Sequence, residues 1–203
     1  MPPRFYSTIL NGPFLGQSFP RTVSRSFQII LVLLLGFWFP IELSGFTGEI
    51  DGDPSRLVEK YLSLDKRGAR LVAESQEVLA PYVSWTEEPA WGRIIVISKY
   101  HVIEDVTQWE ILTETEMLIP VTFDVVGIMY WETATFLQES QVSLEYFHVK
   151  ALDERWRIVA PQIPPHVGRK RLLDFVRFTQ LQESRETQKM SLQQLREQLQ
   201  QIP

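Results

Sequence analysis

The sequence predicts an α+β domain: a curved antiparallel sheet with N-terminal helices packed on one face, preceded by an apolar leader and followed by a C-terminal helix. Three observations carry this reading. Apolar residues recur at helical spacing from Leu57 to Leu64, the periodicity turns strand-like from Trp91 onward, and a helical pattern returns at Arg169 after a proline-rich break.

The leader comes first in the chain. The uncharged run from Phe27 to Ile41 has Arg21 and Arg25 ahead of it and Glu42, Glu49, Asp51 and Asp53 behind it. A basic flank, a short apolar core and then an acidic chain mark an export signal or an N-terminal anchor, because Lys and Arg resist translocation and acidic residues do not. At about 1.5 Å per helical residue the run covers roughly 22 Å, short of the roughly 30 Å hydrocarbon core. Cleavage after Leu43-Ser44-Gly45 is therefore expected, giving a mature chain from Phe46, with an uncleaved anchor through Phe27 to Ile41 as the alternative. Pro2, Pro3, Pro13 and Pro20 preclude an ordered helix ahead of the run, and a start site further downstream accounts for so long a leader. The expected location is extracytoplasmic, either periplasmic or secreted, or anchored in the inner membrane. The expected organisation is a leader at 1–45, an α+β domain at 53–182 and a polar helical tail at 183–203.

Composition narrows the function. The first 41 residues hold three arginines and no acid, so the formal −5 of the whole chain becomes −8 beyond them. A nucleic-acid partner is disfavoured, since that binding rests on neutralised phosphates. With no cysteine there are no disulfides, no thiolate metal site and no Cys nucleophile. An exported domain of this kind relies on its core, and 44% hydrophobic residues with six Trp and twelve Phe supply the material.

Asp53-Pro54 reads as a helix start, with Asp as the cap and Pro at the first helical position. Leu57, Tyr61 and Leu64, with Val58 and Leu62 beside them, form its apolar stripe. Gly68 interrupts that helix, and a second short one is expected from Ala69 to Leu79, before Pro81. Segments 93–106, 117–131, 141–152 and 155–160 are rich in Val, Ile, Phe, Tyr and Trp and read as long antiparallel strands. In the second of them, Met117, Ile119, Val121, Phe123, Val125, Met129 and Trp131 are expected on one apolar face. In the third, Val142, Leu144, Tyr146 and His148 share a side against Ser143 and Glu145. Asp153-Glu154 makes a tight turn, so the last two strands form a hairpin. Pro161, Pro164 and Pro165 end the sheet, and 169–182 begins a helix expected to dock on the domain. From Glu183 the composition turns to Gln, Glu, Ser and Arg, which reads as a solvated helical tail. Leu192, Leu195 and Leu199 form a thin seam in it that would suit a partner helix.

Two N-terminal helices, several long bent strands and a closing Trp-Arg-Ile-Val strand resemble the nuclear-transport-factor-2-like superfamily. This is the cone-shaped α+β fold shared by ketosteroid isomerase and SnoaL-like polyketide cyclases. The resemblance covers about residues 53 to 161 and is carried by Asp53-Pro-Ser-Arg-Leu-Val-Glu-Lys-Tyr-Leu and Arg155-Trp-Arg-Ile-Val. It implies a pocket between the helices and the concave sheet face. It fixes no single function, because the superfamily holds isomerases, hydrolases, cargo binders and secretion-system subunits.

His101 and His148 are the candidate pocket titrators, with Tyr146 two residues from His148, since enzymes of the resembled fold place such groups in an apolar cavity. The structural reading of His148 is a core or rim histidine, and of His101 an exposed edge. Asp124 and Tyr130 lie on the wetter strand face. Glu104 and Asp105, adjacent on a strand, point to opposite faces and form no carboxylate pair. The tryptophans from Trp85 to Trp156 read as core rather than as a cavity lining. Arg169-Lys170-Arg171 would suit lipid head groups or an acidic partner, or is a solvated helix start. No metalloprotease, nucleophile-elbow, phosphate-loop or dinucleotide motif is present, so no cofactor and no metal are expected.

The reading is an exported or membrane-tethered module that binds a small apolar ligand or a protein partner, with a homodimer as a further expectation. The alternatives are a cofactor-free isomerase, cyclase or hydrolase acting on a small apolar substrate, and a subunit of a bacterial envelope assembly.

Overall fold

A computed structural model describes Ile50, residues 52–71 and residues 75–202. The apolar run 27–41 and the expected cleavage site lie outside the described residues. No described helix is long and apolar enough to cross a membrane.

Helix α1 (Pro54–Lys66) starts as read: the Asp53 carboxylate accepts the Ser55 N–H at 2.8 Å, and Pro54 sits where a missing N–H costs nothing. Gly68 ends it at φ 77°, the left-handed conformation that a side chain would strain. The second helix is shorter than expected, a 3-10 turn at Ala69–Leu71 followed by α2 (Ser75–Leu79).

Six strands follow: β1 (Arg93–Val102), β2 (Glu110–Thr113), β3 (Glu116–Tyr130), β4 (Thr135–Leu152), β5 (Arg155–Ala160) and β6 (His166–Gly168). They form one strongly curled half-barrel in the order β5-β4-β3-β1-β6, with β2 pairing β3. The sheet is mixed and not antiparallel throughout, because β6 runs parallel to β1, pairing His166 with Ile95 and Gly168 with Ile97. Strands β2 and β6 escape a sequence reading because four and three residues are too few to show alternation. The Asp153-Glu154 hairpin forms as read, with φ of 49° and 62° at its two central residues, the backbone of a type I′ turn.

A double irregularity in the middle of the sheet decides what each face does. Ile97 pairs with Val125 and Lys99 with Asp124, which leaves Ser98 bulged from β1, and Val96 pairs with Gly127, which leaves Val126 bulged from β3. A bulge inserts one residue and so inverts the side-chain alternation beyond it. Met117 to Val125 therefore face α1, whereas Met129 belongs to the opposite side, where Trp131 and Val126 also pack. The single apolar face expected for 117–131 is thus two half-faces, each buried in its own core.

The first core joins Val58, Tyr61 and Leu62 of α1 to Phe123 of β3, Phe147 and Val149 of β4 and Ile158 of β5. The second joins Val96 and Met129 to Leu172 and Val176 of α3 (Arg169–Gln182) and to Leu192, Leu195 and Leu199 of α4 (Glu186–Gln200). Helices therefore cover both faces rather than one. The solvated tail is a correction as well: the three leucines are at most 2% exposed, because α4 folds back and closes the second core itself. The described residues form a single compact unit that includes this helix.

Candidate functional site

Strand β4 inverts the expected parity. Phe147 and Val149 point into the first core, and Val142, Leu144 and Tyr146 lie 70%, 49% and 49% exposed on the outer face. His148 is on that face, its Nε2 2.7 Å from Glu116 Oε1, with Lys150 Nζ 3.3 Å from the other carboxylate oxygen. His148 and then Lys150 hold Glu116 below the usual carboxylate range. His101 is exposed near the end of β1, and Asp105 caps a 3-10 turn through Thr107 N–H at 3.0 Å. The structure brings His101, Tyr146 and His148 to no common cavity. Asp124 pairs with Lys99 at 3.2 Å on the outer face.

The groups that do converge are others. Asp65 stands on α1 three residues after Leu62, four after Tyr61 and seven after Val58, which places an acid on the buried stripe. It is fully buried, and its Oδ2 accepts the backbone N–H of His166 at 2.9 Å. Arg70, with a side chain 3% exposed, sits in the same interior. It donates from Nη1 to Asp65 Oδ2 at 3.4 Å and to Tyr61 Oη at 3.3 Å, from Nη2 to Ile163 O at 2.7 Å, and from Nε to Glu88 Oε2 at 2.9 Å. Its guanidinium carbon also lies 5.9 Å from the centre of the Trp91 ring.

One cation thus serves two carboxylates, and the tighter bond goes to Glu88. Burial lifts the Asp65 carboxyl to about 6 against the pull of Arg70. Burial works against the Arg70 charge, but Asp65, Tyr61 and Glu88 outweigh it and the guanidinium stays protonated. Burial, reinforced by Asp65, also raises the Tyr61 phenol, which is therefore neutral.

His166 joins this interior to a cleft. Its ring packs on Phe123 with centroids 4.4 Å apart, and its Nδ1 lies 2.8 Å from Pro164 O. A carbonyl only accepts, so Nδ1 carries the proton and Nε2 holds the lone pair. Burial, with the charge of Arg70 adding to it, lowers the imidazole to about 4, so the ring is neutral at physiological pH. The ring lines a cleft of about 290 Å³ on the α1 side of the sheet. Ile95, Val125, Ile128 and Ile163 form its apolar walls, and Arg93, Gln141, Ser143 and Glu145 bring polar groups to it. Among the described residues Nε2 has no hydrogen-bond partner.

Trp91 and Trp131 line a separate cleft of about 250 Å³ beside Arg70, while Trp156 packs in the first core and donates from Nε1 to Gly52 O at 3.1 Å. No group of described residues has the composition of a metal site. Sequence reasoning missed His166, which follows two prolines and lies on a three-residue strand. It also missed Asp65, for which the position on the apolar stripe was a usable signal. No protein-family model, no curated protein and no solved structure matches this chain.

Proposed function

We propose that this chain is a ligand-binding module, exported or membrane-tethered, whose ligand lies in the cleft floored by His166. The observation that carries the reading is the committed tautomer: Nδ1–H is spent on Pro164 O, which leaves Nε2 as a fixed acceptor against apolar walls. A small, mainly apolar molecule with one O–H or N–H donor suits that arrangement. The cone-like architecture of the nuclear-transport-factor-2-like superfamily belongs to the same proposal. It is supported by the helix-first order, the strong curl of the sheet and a cleft on the α1 side of the sheet. Export or tethering is supported by the charge order around Phe27 to Ile41. Mass spectrometry of the exported product tests it: a chain beginning near Phe46 is the expected result, and a full-length chain in carbonate-washed membranes establishes the anchor.

A neutral imidazole with a free Nε2 is also the form of a general base, which makes a cofactor-free isomerase, cyclase or hydrolase the second reading. A catalytic base works best with a pKa near the operating pH. At about 4, His166 is a weak proton acceptor at neutral pH, and on that ground we place binding ahead of catalysis.

The test uses 2-naphthol as probe and naphthalene as its donor-free counterpart, titrated into isotope-labelled full chain under nuclear magnetic resonance. The expected result is a shift of the His166 Nε2 resonance and of Ile95, Val125 and Ile128 with 2-naphthol, at least tenfold weaker with naphthalene. Equal responses to both, or none at His166, would remove the proposal.

A further inference from the structure

We propose a second binding site, for a phosphate-bearing amphiphile, in the cleft where the C-terminal end of α1 meets β1 and the start of α3. At about 700 Å³ it is more than twice the size of the His166 cleft, and it lies beside the two bulges, with Ser98 and Val126 among its lining residues. Five cations line it: Lys66 and Arg67 from the end of α1, and Arg169, Lys170 and Arg171 from α3. One acid, Asp174 of α3, also lines the cleft, but among the described residues no carboxylate comes within 4.0 Å of any of the five cations, although the chain beyond residue 41 carries a formal −8. Five cations against one acid, in a protein that is acidic as a whole, concentrate positive potential in this cleft.

The cations are held in place by main-chain oxygens, which orient them without neutralising them. Lys66 Nζ donates to Ser98 O at 2.8 Å, Arg171 Nε to Arg67 O at 3.1 Å, and Arg169 Nη1 to Ile202 O. Lys170 is exposed and makes no hydrogen bond or ion pair with a described residue. The first turn of α3 adds to the potential: its cap is Gly168, no side chain bonds its N–H groups, and it contains no acid.

Arginine forks with a point-charge lysine recognise a compact multivalent anion, and phosphate is the best match for them. A bare phosphate fills only a small part of this volume. Beyond the cations the wall is formed by Ile97, Val126 and Ile202 with Gly168, and only Ser98 and Asp174 add polar side chains, so the rest of the ligand is mainly apolar. Two sources offer that chemistry, a phospholipid molecule and a soluble phosphorylated metabolite with an apolar body.

The experiment measures binding to the immobilised full chain at low salt. The probes are dioctanoyl phosphatidic acid below its micelle concentration, dioctanoyl phosphatidylcholine, farnesyl monophosphate and inorganic phosphate. The expected result is saturable binding of phosphatidic acid or farnesyl monophosphate, at least tenfold weaker for phosphatidylcholine and for inorganic phosphate. Preference between the first two distinguishes lipid from metabolite. Affinity should fall at least tenfold in Lys170→Glu and in Arg67→Glu, both exposed positions whose folding is checked by circular dichroism, with Lys170→Gln as the milder replacement. Equal binding of phosphatidic acid and phosphatidylcholine, or unchanged affinity in the variants, would overturn the site. Inorganic phosphate binding as tightly as the amphiphiles would overturn its apolar half.

Discussion

The backbone N–H of His166 donates to Asp65 Oδ2 at 2.9 Å, tying the three-residue edge strand β6 to a helix 101 residues earlier in the chain. Strand β6 has little of its own to hold it, since three residues pair on one side only. A buried carboxylate that accepts this N–H and also meets Arg70 fixes the strand, and with it the His166 ring over the cleft. The charged interior thus positions the proposed binding residue.

That interior should be intolerant of losing one partner. Changing Arg70 to Met leaves the Asp65 carboxyl buried without its cation and removes the donors of Ile163 O and Glu88. Breaking a buried pair in this way costs about 3 to 5 kcal/mol. In Asp65→Asn/Arg70→Met the acid is neutral and an amide oxygen still accepts the His166 N–H, so the double variant should be more stable than Arg70→Met alone. Urea unfolding of the four proteins of the cycle measures this, and a purely additive result would mean that the two residues do not couple.

Gly127 is the next point of low tolerance. A Cβ there would lie 2.4 Å from Leu137 O and 2.4 Å from Phe136 Cζ, and the first of these is backbone that cannot rotate aside. Gly127→Ala should therefore destabilise by about 1 to 3 kcal/mol, as overpacking does, although alanine has the better strand propensity. A neutral or stabilising result would show that β4 can move away from β3 at this position.

Helix α4 should prove part of the fold. Leu195 is fully buried against Leu172 and Val176, whereas Met190 on the same helix is 61% exposed. Leu195→Ala is expected to cost about 2 to 5 kcal/mol, and Met190→Ala less than about 0.5 kcal/mol. Similar small losses at both positions would restore the picture of a solvated tail.

What could be read in the sequence was local. The Asp53-Pro54 start, the Gly68 stop, the Asp153-Glu154 turn and the full extent of α3 each depend on a few adjacent residues, and each is found where it was read. What escaped depended on distant partners. The bulges at Ser98 and Val126 exist only in the pairing of β1 with β3, and without them the parity of 117–131 looks continuous. On β4 the alternation Val142, Leu144, Tyr146 looked like the buried side, yet Phe147 and Val149 had the better partners in Tyr61 and Phe123. The leucines of α4 are too few for a coiled-coil seam because the other half of their interface is supplied by α3 and the sheet. His166 carried no local signal at all, and its importance comes from Asp65, Phe123 and Pro164 meeting it in space.

His166 and Asp65 act with opposite signs on the pH dependence of stability. Burial holds His166 at about 4 against 6.5 for the free side chain, so its contribution to stability is full above pH 6.5 and is lost as the pH falls toward 4. Burial lifts Asp65 from 3.8 to about 6, so its contribution is full below about pH 3.8 and is lost as the pH rises through 6. Arg70 faces both groups, and Glu88 adds its influence at Asp65. Between pH 4 and 6 the two slopes oppose, and the native protein should show a shallow dependence there. Removing either group exposes the other. Asp65→Asn should lose stability steeply on acidification from pH 6.5 to 4, by up to about 3 kcal/mol, the linkage value of a shift of this size. His166→Gln should instead gain stability over the same interval. Urea unfolding at four pH values from 4 to 7 separates the cases, and parallel profiles for the native protein and both variants would show that neither group titrates in this window.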